Sequence, residues 1–299
     1  MKEQIKKTLK NKNAEDNLVS GTVASYVADH FTHIDLFSGI GGFALAAKMV
    51  FGEQYENLAF CEIEPFCQEV LRANFGKGIN LIDDVKKLNG ENFGTVKLIT
   101  GGFPCQDISI AQRGNRSGLA GERSGLWFEF ARIIDETHPE WVIIENVPRL
   151  LTSNDGRDFA TIIQTLVEFG YGVCWRLLDA RYFGVAGTRK RIFIVARFGD
   201  LRSAREVLFE QSEICGVLQK PKAKPDIKPM CVGWDGGLTF ERLRECILTK
   251  TNPIRTGESD GVPRQLDKYR YRALGNAIVP QVAMKILAAI KKTYMAEAT

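Results

Sequence analysis

The sequence predicts a doubly wound α/β domain carrying a small, irregular second region. Strand-like and helix-like segments alternate through the first two thirds of the chain, and the alternation stops near Asp200. Closely spaced glycines and acids also follow the short apolar runs, at the strand ends where open α/β sheets bind ligands.

The elements can be justified in order. His33 to Phe37 is a short apolar strand, and the glycine turn behind it opens a helical stretch from Phe43 to Val50. Leu58 to Cys61 reads as a second strand. Pro65 stands where a helix can begin, since proline lacks an N–H that the first turn would leave unpaired; Phe66, Val70 and Leu71 continue the spacing. A third short strand ends near Asp83 and Asp84, and Lys97 to Thr100 forms another, stopped by Gly101 and Gly102. Leu126 to Thr137 repeats apolar residues at helical spacing. Trp141 to Glu145 is a strand, Phe159 to Phe169 a helix, and Ile192 to Ala196 a β-branched strand. From 200 to 265 no periodicity is strong, and 218–235 is rich in Lys, Pro and Gly. A last helix covers about Ile278 to Lys291, with Pro280 in its first turn.

Composition narrows the class. The 299 residues are 44% hydrophobic and 25% charged, as in a soluble globular protein with a full core. No apolar run approaches bilayer length; Val142 to Ile144 and Ile192 to Ala196 read as buried strands. The polar, basic N-terminus lacks the apolar core of a secretory signal, so a loosely structured leader and a cytoplasmic protein are expected. Seven cysteines without a CxxC pair, beside three histidines, suggest reduced thiols, with neither a disulfide framework nor a metal site. The net charge is only +4, but the basic residues cluster. Arg181, Arg189, Lys190, Arg191 and Arg197 form one run, Lys220 to Lys228 a second, and Arg264, Lys268, Arg270 and Arg272 a third. Such runs are usually solvated faces; three of them lean toward a polyanionic partner.

Four blocks bear chemistry. In Asp35-Leu-Phe-Ser-Gly39-Ile-Gly41-Gly42-Phe43, a strand ends in glycines before a helix, which lets a ligand approach backbone and helix N-terminus. A dinucleotide site would look similar. Glu62 ends the next strand, where a carboxylate can accept ribose hydroxyls, and Asp83 or Asp84 ends the third; each alone could equally be a surface or capping residue. Gly101-Gly-Phe-Pro104-Cys105-Gln106 sets a thiol at the sheet's carboxyl edge behind a stiff proline, as a buried structural cysteine or as a nucleophile. The polar stretch behind it, 106–124, carries Arg113, Arg116 and Arg123, and a loop of that length is usually functional or disordered. Trp141-Val-Ile-Ile-Glu145-Asn146-Val147-Pro148 delivers a glutamate on a buried strand, where an apolar setting can raise its pKa toward neutrality. Arg189-Lys-Arg191 opens an apolar strand, so both guanidinium groups share a face.

Together, DLFSGIGGF, GGFPCQ, EN-V, T-R-K-R and RALGNAIVPQVA resemble the DNA (cytosine-5) methyltransferase family, over roughly residues 32–197 and 269–292. The resemblance implies a Rossmann-like S-adenosylmethionine-dependent methyltransferase domain completed by the C-terminal helix. It divides the chain into a polar extension (1–30), the catalytic and cofactor-binding domain (31–199), a small target-recognition region (200–264) and a completing segment (265–299). It implies double-stranded DNA as substrate and a monomer, with a cognate restriction endonuclease as a possible companion.

By the same resemblance, Cys105 is the nucleophile and Glu145 holds or protonates ring nitrogen 3 of cytosine. Asn146 supports that geometry, and Arg189, with Arg191 behind it, contacts the base oxygen and braces the site. Phe37 would stack on the adenine of the cofactor, and Gly39, Gly41 and Gly42 would approach its methionine portion. Glu62 would bind the ribose, Ile63 would pack on the adenine, and Asp84 (or Asp83) with Val85 would meet the adenine edge. Pro104, Leu126, Asn276 and Ala277 match further cofactor contacts, while the loop 106–124 would close over DNA.

Two departures stand out. Ala186 and Gly187 replace the family's Pro-Gln pair, and 200–265 is short for target recognition, with Lys220 to Lys228 and the loop 233–237 as its candidate DNA contacts. They leave open a catalytically weakened DNA-binding homologue. An RNA methyltransferase lacks an RNA-directed motif, and a nicotinamide oxidoreductase would leave three of the blocks unexplained.

Overall fold

A computed structural model describes residues 30–104, 125–185, 188–210, 230–232, 273 and 275–297. Its centre is one eight-stranded sheet in the order β3-β2-β1-β4-β5-β7-β6-β8. The strands are β1 (Phe31–Leu36), β2 (Tyr55–Cys61), β3 (Leu81–Ile82), β4 (Leu98–Gly101), β5 (Trp141–Asn146), β6 (Tyr171–Asp179), β7 (Lys190–Phe198) and β8 (Met230–Val232). Strands β3, β2, β1, β4 and β5 run parallel. β7 enters antiparallel between β5 and β6, and β8 pairs antiparallel with β6.

The chain winds outward from β1 through β2 to β3, then returns to β4 on the other side of β1. The switch point therefore lies between β1 and β4, and the crevice at their carboxyl ends is where such sheets bind ligands. Among the described residues, six α-helices cover the sheet: α1 (Gly42–Phe51), α2 (Pro65–Phe75), α3 (Gly125–Thr137), α4 (Arg157–Glu168), α5 (Leu201–Arg205) and α6 (Pro280–Glu297). Strand alternation decides which residues each face receives. Ile34, Leu36, Ile99, Val142 and Ile144 pack under α3 and α4, against Phe130, Ile133, Phe159 and Ile163. Phe31, Leu98, Trp141, Ile143 and Val195 pack under α1 and α6, against Phe43, Ala47, Ile286 and Ile290.

The parallel half, α1, α2 with Pro65 in its first turn, and the returning C-terminal helix match the sequence expectation. Two strands, β6 and β8, were not expected. β6 spans nine residues (YGVCWRLLD) whose two faces are almost all buried, so it lacks a clean apolar/polar alternation. It is joined to β7 by a connection too short for a parallel crossover, which forces the antiparallel arrangement. The expectation of uniformly reduced cysteines is also corrected. Cys61 and Cys67 are free, but Cys174 on β6 is disulfide-bonded, and Cys231 of β8 lies opposite it in the strand register. Among the described residues, no helix is long and apolar enough to cross a membrane.

At the far edge of the sheet from the crevice, Glu140 ties α6 down. Its carboxylate accepts from Arg197 at 2.7 Å and from the Tyr294 hydroxyl at 2.5 Å, and the Arg197 guanidinium lies over the Trp141 ring. This polar knot fixes the end of α6, so that the start of that helix returns to the crevice.

Candidate active site

The glycine turn after β1 is shaped by backbone need. Phe37, Gly39 and Gly41 all take positive φ (52°, 54° and 85°), and the non-glycine Phe37 is strained there, as residues at ligand clamps often are. Gly41 caps α1 and lies so close to α2 that a Cβ would come within 2.5 Å of the Phe75 ring. A Cβ at Gly39, by contrast, would meet nothing within 4 Å, so that part of the turn opens outward.

Glu62 closes the same corner. Its carboxylate accepts from the Gly39 N–H at 2.7 Å and the Glu64 N–H at 2.8 Å, so it is held at the carboxyl ends of β1 and β2; burial, above all, raises its pKa. Ile63 beside it is 72% exposed, a large apolar side chain left facing outward. An open glycine cradle, a fixed carboxylate and an exposed apolar surface suit an adenosine: hydroxyls for the acid, a flat base for the isoleucine. The donor set fits S-adenosylmethionine.

The other expected cofactor residues are placed less uniformly. Phe37 lies 6.3 Å from Phe130 with nearly parallel rings. Asp84 caps a short turn by accepting from the Lys86 N–H, while Asp83 is drawn off to Lys87 at the surface. The Val85 side chain is buried in the core and its carbonyl accepts from Arg132. Leu126 packs at the start of α3, Pro104 is exposed at the end of the β4 segment, and Asn276 is exposed before α6.

Beneath the turn lies a polar chain that sequence reasoning missed. His33 contacts the Tyr55 hydroxyl at 2.9 Å and the Thr100 hydroxyl at 2.7 Å, and Thr100 donates to Asp35 at 2.6 Å. Burial lowers His33 to about 3 and raises Asp35 to about 8, so the histidine is neutral. The signal was present: ionisable residues at two alternate positions of an apolar strand must share one buried face and find partners there.

Next to this corner, β5 delivers Glu145, which is 7% exposed. Arg191 Nε donates to Glu145 Oε1 at 3.1 Å. Burial pushes the carboxyl up to about 7, and the pull of Arg191 and Arg189 only partly offsets it. Asn146, the next residue, donates to the Phe103 carbonyl at 2.9 Å while its own side-chain oxygen accepts from the Val147 N–H. It thus pins Gly102-Phe103-Pro104 against the acid: a Cβ on Gly102 would lie 3.3 Å from the Glu145 carboxylate. Phe103 is further fixed against Trp127 and Phe130.

Arg189 and Arg191 do share one side, lining a small pocket with Glu145, Val279 and Val282. Their partners differ from each other. Arg191, not Arg189, pairs with the acid, while Arg189 donates to the carbonyls of Gly275 and Ala277. Cys105, the loop 106–124, Ala186 and Gly187, Lys220 to Lys228, the loop 233–237 and the basic run 264–272 lie outside the described residues.

These features correspond to a known family. Residues 31–228 match the C-5 cytosine-specific DNA methylases, and the chain belongs to that family. Among curated relatives, the Type II methyltransferase M2.BsuMI of Bacillus subtilis (strain 168) is 34% identical over 244 residues, covering 77% of this chain and 57% of the relative. Type II methyltransferase M1.ScrFI of Lactococcus lactis subsp. cremoris is 40% identical over 162 residues, covering 54% and 40%. The chain spans about half the length of the curated relatives it matches. In fold it is similar to a DNA modification methyltransferase encoded within an E. coli prophage (TM-score 0.56, 18% identity, 89% of this chain and 99% of that one). The Entamoeba histolytica methyltransferase EhMeth is alike to a similar degree (TM-score 0.52, 14% identity, the same coverage). The sheet has the Rossmann-like fold that these methyltransferase structures share.

Proposed function

We propose that this chain transfers a methyl group from S-adenosylmethionine to carbon 5 of a cytosine in double-stranded DNA, using Cys105 as nucleophile. The observation that carries the reading is the buried Glu145, paired with Arg191 and packed against the segment that leads directly into Cys105.

Carbon 5 of cytosine is a weak nucleophile, and the residues present can change that. The Cys105 thiolate would add to carbon 6, forming a C–S bond, as Glu145 gives its proton to ring nitrogen 3. A carboxyl titrating near 7 still holds that proton in part of the population at neutral pH, as a general acid must. Arg191, whose charge sits beside the same carboxylate, would meet the base oxygen and steady the acid. The cofactor supplies an electrophilic methyl group, held by Phe37, Glu62, Ile63 and the glycine turn. Once carbon 5 carries the methyl group, water takes its proton, the carbon 5–carbon 6 double bond reforms, the C–S bond breaks to release Cys105 as thiolate, and the nitrogen 3 proton returns to Glu145.

The burial of Glu145 supports a target base turned out of the duplex, since a stacked cytosine would not reach an acid this deep. Sequence choice falls to residues 200–264, with the basic loop 106–124 on the phosphates. We assign the chain as a monomer and, from its likeness to Type II enzymes, as a companion to a restriction endonuclease of the same specificity.

Labelled S-adenosylmethionine and mixed-sequence duplex DNA test the reading. It predicts 5-methylcytosine in the digested product, abolished by Cys105→Ser. Tight DNA binding with no incorporation would instead favour the weakened DNA-binding homologue suggested by Ala186 and Gly187. Label in tRNA but not in DNA would move the substrate to RNA.

A further inference from the structure

Arg189 and Arg191 stand two residues apart at the start of β7, yet they engage different partners. Arg191 reaches Glu145. The Arg189 fork straddles Asn276: Nη1 donates to the Gly275 carbonyl at 2.8 Å and Nη2 to the Ala277 carbonyl at 2.7 Å, while Nε is buried. Two parallel donors in a rigid plane are what guanidinium offers and an ammonium does not.

What the fork holds matters more than the bonds themselves. Ile278, the next residue, is wedged between both glycine loops of the crevice. A Cβ on Gly42 would come within 2.7 Å of the Ile278 carbonyl oxygen, and one on Gly102 would lie 3.8 Å from Ile278 Cδ1. Val279 and Val282 continue from it into the pocket shared with Glu145 and both arginines. The segment 275–278 therefore touches the cofactor turn on one side and the nucleophile segment on the other. Arg189 grips its near end, while the Glu140 knot fixes the far end of the helix that follows.

We propose that Arg189 is a positioning residue for the cofactor wall, with Arg191 alone of the pair acting at the base. Its fork sets the height of Asn276 and Ala277 above the glycine turn, and through Ile278 it links that wall to the Glu145 pocket. The inference rests on the proposed cofactor site.

The test measures S-adenosylhomocysteine binding by calorimetry, steady-state KM and kcat, and hydrogen exchange of the 275–286 amides. Arg189→Ala should weaken S-adenosylhomocysteine binding about 10- to 100-fold, the worth of about one charge-assisted bond, because only part of the two lost bonds is passed on to the cofactor wall. KM for S-adenosylmethionine should rise in step, and exchange across 275–286 should quicken. Arg189→Lys, which keeps the charge and one donor, should fall between. Arg191→Lys should bind S-adenosylhomocysteine within about twofold of wild type and lose turnover instead.

Unchanged binding in Arg189→Lys and Arg189→Ala would overturn the assignment, as would an equal loss in Arg191→Lys. Should Arg189→Ala fail to fold, Arg189→Lys against Arg191→Lys decides by the same criteria. A wild-type chain that binds no S-adenosylhomocysteine would remove the cofactor reading itself, an outcome distinct from variants that bind normally.

Discussion

Replacing Glu145 by glutamine separates the two consequences of burying an acid. In the folded chain, burial raises this carboxyl from 4.5 to about 7. Between those values the folded chain keeps a proton that the unfolded chain has released, so stability is fully present below pH 4.5 and is lost as pH rises through 7. At about 1.4 kcal/mol per tenfold change in proton affinity, the loss between pH 5 and pH 8.5 is about 2–3 kcal/mol. Glutamine resembles the protonated acid in shape and cannot titrate, so Glu145→Gln escapes it. Urea unfolding of both proteins at several pH values should show the variant's advantage over the wild type growing by about 2–3 kcal/mol from pH 5 to pH 8.5. Asp35, also raised by burial, is present in both chains and cancels in the difference. Turnover of the variant should fall about 10²- to 10⁴-fold, the usual worth of a general acid. A stability difference that is constant with pH, or that shrinks as pH rises, would refute the claim that Glu145 is held as a part-protonated acid.

Three further outcomes follow from the packing. Asn146→Ala frees the Phe103 carbonyl, so kcat should drop about 10- to 100-fold through misplacement of the segment before Cys105, while calorimetry shows unchanged S-adenosylhomocysteine affinity. Gly101→Ala would push a methyl group to 2.6 Å from the Phe130 ring and 2.7 Å from the Leu36 carbonyl oxygen. Chemical denaturation should register a loss of about 1–3 kcal/mol, the usual cost of overpacking. Tyr294→Phe removes one donor to Glu140 but leaves Arg197, and should cost about 1 kcal/mol in urea melts with cofactor affinity intact, because the knot lies across the sheet from the crevice.

The parallel half of the sheet was legible because it repeats one local signal, a short apolar run ending in glycine or acid. Pro65 and Pro280 marked two helix starts for a reason independent of packing, the missing N–H. β6 was hidden because burial on both faces erases alternation, leaving a run no different from a core helix segment. At the site, the residue types of Glu145, Asn146, Glu62 and the two arginines could be read from spacing and resemblance. Their pairings could not. Two arginines on one strand face are equivalent in sequence, and only the return of α6 from the far end of the chain gives Arg189 the carbonyls of 275 and 277. The chain of His33, Thr100 and Asp35 likewise depends on β1 and β4 being neighbours, a fact of topology and not of local pattern.

The account's central claim, a covalent bond between Cys105 and the target base, is tested most directly by trapping. Duplex DNA with 5-fluorocytosine at the methylated position cannot lose its carbon 5 substituent as a proton, so after methyl transfer the adduct should persist. With S-adenosylmethionine present, the account predicts a DNA-linked protein stable to denaturation, and peptide mapping should place the link on Cys105. Methylation of ordinary duplex DNA without any trapped adduct, or an adduct mapped to a different cysteine, would contradict it.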